Sequence, residues 1–397
     1  MKNILIYHRF ASELAAGDCY QPLMFIAELQ RNSNVTMLLN RDFDIAGAAQ
    51  KFAIPIDPSR LAVKKIKPAP FPRMRHFRAF HEARQIRAYA RKADICISTT
   101  GIIDFGKPAH YFICGLNNLG GHAFYDHVHA SNIKTRTGIR RLLRKVGTWL
   151  EENVAKPMMG IRPMKKITGN PLEHIYPTSR YVENVMSSYF GPFNSTIFYP
   201  PTTFDFSAAN VPRNPLRVVY VGRIFPEKRL TDILATVERA RLISGKDIEL
   251  HIAGQLIQTP YVEKLKRLAG ERPWARLIGP AYGADKEALM LSASYAIHAE
   301  RDEAFGISVS EYLKAGAIPI VPDEGGTTEI VDSPALTYRT NEEAAQILVH
   351  LIDDDAFREE LRRHCAERAK EFTRNAYMVR QHALLAQITE STGHLDK

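Results

Sequence analysis

The chain has 397 residues, 45% of them hydrophobic and 24% charged, with a formal net charge of +10 at pH 7. That length exceeds what one hydrophobic core usually serves and leads us to expect two domains; no stretch approaches the roughly 20 apolar residues that span a bilayer. Four scattered cysteines without a C-x-x-C pair (Cys19, Cys96, Cys114, Cys365) argue against a disulfide framework, a structural zinc site or a redox motif.

The N-terminus MKNILIYHRF is soon interrupted by Arg9 and Glu13, unlike a signal peptide, and the expected location is the cytoplasm. Residues 3–7 (NILIY) predict a buried parallel strand, followed by the small-residue turn Ala15-Ala16-Gly17-Asp18 and a helix from Pro22 to Gln30. Short apolar runs at Val35 to Leu39, Ile95 to Ser98 and Tyr111 to Cys114, with helical patterns between them, imply a parallel, doubly wound sheet. The stretch Phe190 to Phe204, dense in Pro, Gly, Ser and Thr, predicts a linker.

A second and cleaner alternation follows. Strands are predicted at Arg217 to Gly222, Ile248 to Gly254, Ala275 to Gly279, Tyr295 to Ala299 and Ile318 to Val321. Helices are predicted at Thr231 to Ser244, Tyr261 to Ala269, Asp285 to Ser292 and Ser308 to Ala315, with a helical tail from Ala376 to Ile388. The expected domains are therefore 1–198 and 199–375, with 376–397 as a helix returning toward the first.

Open α/β sheets bind ligands beyond the carboxyl ends of their strands, where helix N-termini offer unpaired amides. In VGRIFPEKR a strand ends on Gly222 and is followed by Arg223 and Lys228, a pair suited to a diphosphate. Each close cation–phosphate contact is worth roughly 4 kcal/mol before desolvation, at an effective dielectric near 20. In EAFGISVSE, Gly306 permits close backbone approach, the amides around Phe305 to Ser308 open a helix, Glu303 precedes the helix start and Glu311 sits about one turn inside it. The turn Asp323-Glu324-Gly325-Gly326-Thr327-Thr328 either closes over a ligand or is a plain loop.

These residues resemble glycosyltransferase family 4, retaining enzymes of the GT-B fold, in which two doubly wound Rossmann-like domains face a central cleft. EAFGISVSEYLKAGAIPIV matches the family's E-x7-E signature and GRIFPEK its upstream G-R-x-x-x-x-K element. The resemblance covers the second half of the chain. It implies that Arg223 and Lys228 bind the donor diphosphate, that Glu303 contacts the transferred sugar and that Glu311 holds the ribose hydroxyls. It also implies that backbone around Phe305, Gly306 and Ile307 meets sugar or phosphate. Gly222 closes the strand, and Gly254 and Pro280, Ala281 and Tyr282 fall where such enzymes hold the base. Within the family, IHAERDEAFGISVSE, Gly325-Gly326 and YPPTTF are similar to α-1,2-mannosyltransferases that extend lipid-linked oligosaccharides, which implies GDP-mannose as donor, with a UDP-sugar as the alternative. Catalysis would be electrostatic, with the leaving diphosphate stabilised by cations and a helix N-terminus. No metal or other cofactor is expected, since cations and a helix N-terminus would meet the charge on the leaving group.

The first half departs from the family pattern. Its glycine-rich loop is reduced to the turn holding Gly17, counted here as donor-binding. Where relatives place His-x-Pro the chain reads Phe112-Ile113-Cys114-Gly115, which leaves His122, His127 and His129 as candidates, His127 being taken as the catalytic one. Arg136 to Leu150 (RTGIRRLLRKVGTWL) is a basic amphipathic pattern suited either to an anionic membrane surface or to a partly core-facing helix. The expected partners are thus a nucleotide-sugar, a glycan or lipid-linked acceptor and the inner face of a membrane, with no nucleic acid, for which no recognised module is present. A nucleotide-sugar epimerase and a catalytically inactive binding protein are the alternatives.

Overall fold

The computed structural model describes residues 1–9, 19–70, 75–116, 119, 124, 146–202, 206 and 211–391. Gly17, His122, His127, His129 and residues 136–145 of the basic pattern lie outside them. The chain forms two compact units, Met1–Thr203 with Tyr377–Lys397, and Phe204–Ala376.

In the first unit the elements run β1 (Lys2–His8), α1 (Tyr20–Leu29), β2 (Ser33–Leu39), α2 (Ile45–Lys51), β3 (Leu61–Lys65), α3 (Arg75–Ala90), β4 (Ile95–Ser98), β5 (His110–Ile113), β6 (His174–Pro177) and α4 (Arg180–Phe190). All pairings are parallel, in the order β3-β2-β1-β4-β5-β6. Continuous apolar runs make the central strands because both faces of a parallel sheet are covered by helices. Ile4, Leu5, Ile6 and Tyr7 are accordingly all buried. Strand β3 escapes sequence detection because LAVKK is an edge strand with four of its five residues exposed. The stretch predicted as a linker begins as part of this sheet: the amides of Thr196 and Phe198 donate to carbonyls of β6, and Phe198 is buried in the core.

The second unit runs β7 (Asn214–Val221), α5 (Leu230–Ser244), β8 (Glu249–Ala253), α6 (Pro260–Gly270), β9 (Ala275–Gly279), α7 (Gly283–Leu291), β10 (Ala293–Ile297), α8 (Ile307–Lys314), β11 (Ile318–Pro322), α9 (Thr327–Val331), β12 (Thr337–Tyr338), α10 (Asn341–Asp353) and α11 (Asp355–Ala369). Its order, β12-β11-β10-β7-β8-β9, is again fully parallel and repeats the topology of the first sheet. Helix starts follow local chemistry. Thr259, Thr340 and Asp354 each cap a helix by accepting an amide three residues on, and Pro260 follows Thr259 at the first helical position.

The last helix, α12 (Arg374–Ser391), carries Tyr377, Leu385 and Ile388 into the core of the first unit beside Leu23, Phe25 and Phe198. Gln381 donates to the Met24 carbonyl at 3.0 Å, which fixes α12 against α1.

Candidate functional site

The second sheet reverses its strand order between β7 and β10, and ligands of open α/β sheets bind beyond the carboxyl ends of strands at such a switch. The segments following these two strands carry most of the charged residues singled out by sequence.

Strand β7 ends where the Gly222 amide donates to the Ala253 carbonyl at 3.0 Å. Its last turn is fixed by two tyrosines. The Val221 amide donates to the Tyr312 hydroxyl at 2.7 Å, and the Tyr220 hydroxyl donates to the Arg223 carbonyl at 2.9 Å. A Cβ on Gly254 would stand 2.1 Å from the Gly222 carbonyl oxygen, so this glycine is required for packing one strand end against the other. The exposed Arg223 stacks its guanidinium over Phe225 at 5.5 Å.

A single 3-10 turn, Pro226–Lys228, then brings Lys228 between two carboxylates. Its ammonium lies 2.5 Å from Glu303 Oε2 and also forms an ion pair with Glu300. His298, at the end of β10, is 2% exposed, with Nε2 3.6 Å from Glu303 Oε2. Neither of its ring nitrogens has a hydrogen-bond partner among the described residues. The ligating atoms of His298, Glu300 and Glu303 lie within 4.8 Å of one another, an arrangement able to hold a cation. Here the Lys228 ammonium supplies positive charge to both carboxylates.

This proximity splits the two acids. Burial, reinforced by the neighbouring Glu303 and only partly opposed by Lys228, pushes the Glu300 carboxyl up to about 7. Burial acts on Glu303 in the same sense, but the Lys228 ammonium and His298 outweigh it and hold its carboxyl well below the ordinary range. Burial lowers His298 to about 4, which keeps the imidazole neutral at pH 7. Lys228 is held protonated: burial works against its charge, and Glu303 and Glu300 more than compensate.

Glycines shape the loop between β10 and α8. Gly306 adopts φ +101° just before the first turn of α8, and a Cβ there would meet Thr327 Cγ2 at 2.6 Å. The turn holding Gly325 and Gly326 is pressed onto this loop. The Gly326 amide donates to the Glu303 carbonyl at 2.8 Å, and a Cβ on Gly326 would stand 2.3 Å from the Ala304 carbonyl oxygen. The double glycine is therefore a brace for the Glu303 segment. The first amides of α8, including Ile307, have no partner inside their own helix, while the Phe305 side chain is buried against Phe372.

Glu311 sits elsewhere. It is 2% exposed, and both its carboxylate oxygens accept from Lys286, at 2.9 and 2.7 Å. Pro280 and Tyr282, after β9, are exposed, Tyr282 at 72%, with Ala281 half-buried between them. The structure thus brings Lys228 and Glu303 together, gives Glu311 a separate lysine, and leaves Arg223 without an ion pair among the described residues. Sequence inspection passed over His298, Glu300 and Lys286. The only linear signal for the first two is H-x-E leaving a strand end, and Lys286 has none, because its partner lies on another helix.

No curated protein matches the chain by sequence. Among solved structures, Anabaena HepE in complex with UDP and glucose is 14% identical, with TM-score 0.65 over 98% of this chain and 100% of that one. Sucrose-phosphate synthase from Thermosynechococcus elongatus is 15% identical, with TM-score 0.65 over the same shares. A glycosyltransferase from Rickettsia africae is 12% identical, with TM-score 0.61 over 98% of each chain. The two units are therefore the two Rossmann-like domains of the GT-B fold. Residues 202–372 match the family of glycosyl transferases group 1, so the unit that carries Lys228, Glu300 and Glu303 is a glycosyl transferases group 1 domain.

Proposed function

We propose that the protein transfers a hexose from a nucleotide-sugar to a glycan or lipid-linked acceptor, with retention of anomeric configuration. The observation that carries this reading is a lysine and two carboxylates gathered at the switch point of a glycosyl transferases group 1 domain. Lys228 and Arg223 receive the donor diphosphate. An incoming diphosphate replaces carboxylates as the partner of Lys228, and Glu303 is then available to accept hydrogen bonds from the sugar hydroxyls. The amides opening α8 add donors for charge that grows on the leaving group. Glu311, oriented by Lys286, holds the ribose, and the segment Pro280–Tyr282 with Gly254 faces the base. The first unit recognises the acceptor.

The motif resemblance favours GDP-mannose. A UDP-sugar is the second reading, suggested by the UDP and glucose bound to HepE. Thermal-shift measurements with GDP, UDP, ADP and their sugar conjugates decide between them, since a ligand at 100 times its Kd stabilises the folded state by about 2.7 kcal/mol. Selective stabilisation by guanine nucleotides supports the mannosyl reading, preference for UDP replaces the donor, and no response to any nucleotide removes the transferase reading. Glu303→Ala is expected to abolish transfer and spare nucleotide binding; conversion of the donor without an acceptor would indicate an epimerase instead.

Peripheral attachment to an anionic membrane belongs to the same proposal. No helix among the described residues is long and apolar enough to cross a bilayer. In the described part of the basic pattern Val146, Trp149 and Leu150 are exposed, Trp149 at 59%, a disposition suited to an interface. Equal sedimentation of wild type and an Arg140→Glu/Arg141→Glu/Arg144→Glu/Lys145→Glu variant with anionic liposomes would remove it.

A further inference from the structure

The first unit has a cationic cavity of about 460 Å³ at the carboxyl ends of its strands, lined from three of them and from α3. Arg9 follows β1, Arg41 follows β2, Lys65 ends β3, Lys67 lies two residues beyond it, and Arg78 comes from α3. Five formal cations thus face two carboxylates, Asp42 and Glu82.

Both carboxylates are used to hold cations. Asp42 accepts from Lys65 Nζ at 2.6 and 2.7 Å. Glu82 accepts from Arg9 at 2.6 Å and from the buried Tyr7 hydroxyl at 2.7 Å, so the guanidinium is fixed against strand β1. Gln85 ties the Lys67 backbone to α3 through both its amide and its carbonyl, at 2.8 and 3.0 Å. Among the described residues neither Lys67 nor Arg78 meets a carboxylate. The lining therefore carries net positive charge, and Arg9, Lys65 and the Lys67 backbone are positioned before any ligand arrives, which lowers the cost of binding an anion. Ile66, Pro68 and Ala69 add an apolar wall, and the volume suits a group the size of a phosphorylated monosaccharide.

We propose that this cavity binds the phosphate ester of a phosphorylated ligand, which on the transferase reading is the acceptor. Only the identity of the occupant rests on that reading; the anion site stands on its own geometry.

Inorganic pyrophosphate is the probe, titrated calorimetrically into wild type, the Arg41→Glu/Arg78→Glu variant, Lys67→Glu and Lys228→Gln, with circular dichroism confirming that each is folded. Lys228→Gln is expected to keep the first-unit site and lose only binding in the second unit. The double variant and Lys67→Glu are expected to weaken first-unit binding at least tenfold while nucleotide binding is retained. Pyrophosphate binding that is unchanged in both, or that disappears entirely with Lys228→Gln, overturns the proposal. Vesicles containing phosphatidic acid then separate the sources. Flotation competed by pyrophosphate assigns a lipid-borne phosphate, and pyrophosphate binding without flotation assigns a soluble sugar phosphate. Pyrophosphate binding to the first unit combined with no nucleotide binding anywhere would keep the anion site and dismiss the transferase reading.

Discussion

At the scale of single residues, the candidate site centres on one lysine flanked by two acids that behave differently. Lys228 is 12% exposed, and removing one partner of a buried ion pair typically costs about 3–5 kcal/mol because the charge left behind has lost its counterion. Lys228→Met is therefore expected to lower the melting temperature and nucleotide affinity together. Glu300 behaves in the opposite way. Burial and the neighbouring Glu303 push its carboxyl up from the ordinary range to about 7, so the native state binds this proton more tightly than the unfolded chain does. Stability should accordingly fall as pH rises from the ordinary value through 7, with the loss complete above it. Glu300→Gln removes that loss. The variant should melt at higher temperature than wild type at pH 8, and the gap should close at pH 4.5; a gap of equal size at both values would contradict this account. Motif spacing made Lys228 and Glu303 legible in the sequence, since each stands at a fixed distance from a strand end. Glu300 and His298 were not, because linear spacing carries no information on which carboxylate a lysine from another strand will reach.

At the scale of elements, the strands that sequence misses, β3, β6 and β12, all lie at sheet edges, although the edge strand β9 was read. Strand β1 reads as a continuous apolar run, whereas β3, at the edge with both lysines exposed, has no hydrophobic period to detect. The same contrast applies to glycines. Gly325-Gly326 reads as a turn, but that the turn braces the Glu303 segment follows only from the 2.8 Å bond between Gly326 and Glu303. Gly326→Ala should disturb that segment, because its Cβ would meet backbone, which cannot step aside as the end of a flexible side chain can. We expect loss of donor-sugar affinity and a lower melting temperature. Gly270→Ala is the matched control: its Cβ meets nothing within 4 Å in the last turn of α6, and replacing a helical glycine stabilises by about 0.4–1 kcal/mol. Equal effects of the two substitutions would show that the double glycine serves only as a turn.

At the scale of the whole molecule, two sheets of the same topology are built from separate stretches of chain, but the last helix breaks the simple division into halves. Residues up to Ala376 belong to the second unit, and from Tyr377 onward the chain completes the core of the first. Tyr377, 1% exposed, packs its ring 5.5 Å from Phe198, and Leu385 and Ile388 are each 2% exposed in the same cluster. The helical tail was legible from its apolar spacing. Its return toward the first domain was also expected from the sequence, but not the particular residues it meets, which lie far off in the chain, as Tyr377 against Phe198 and Gln381 bonded to Met24 illustrate. Leu385→Ala should therefore destabilise a unit in which most of the sequence lies at the other end, by about 2–5 kcal/mol for a leucine removed from a packed core. Hydrogen exchange read strand by strand makes the test. Amides of β1, β2 and α1 should lose protection while those of β7, β8 and β10 keep it, and any nucleotide that stabilises the wild type should protect the second group equally well in the variant. Loss of protection spread evenly over both sheets would mean that the two units unfold as one cooperative body, with α12 coupling them.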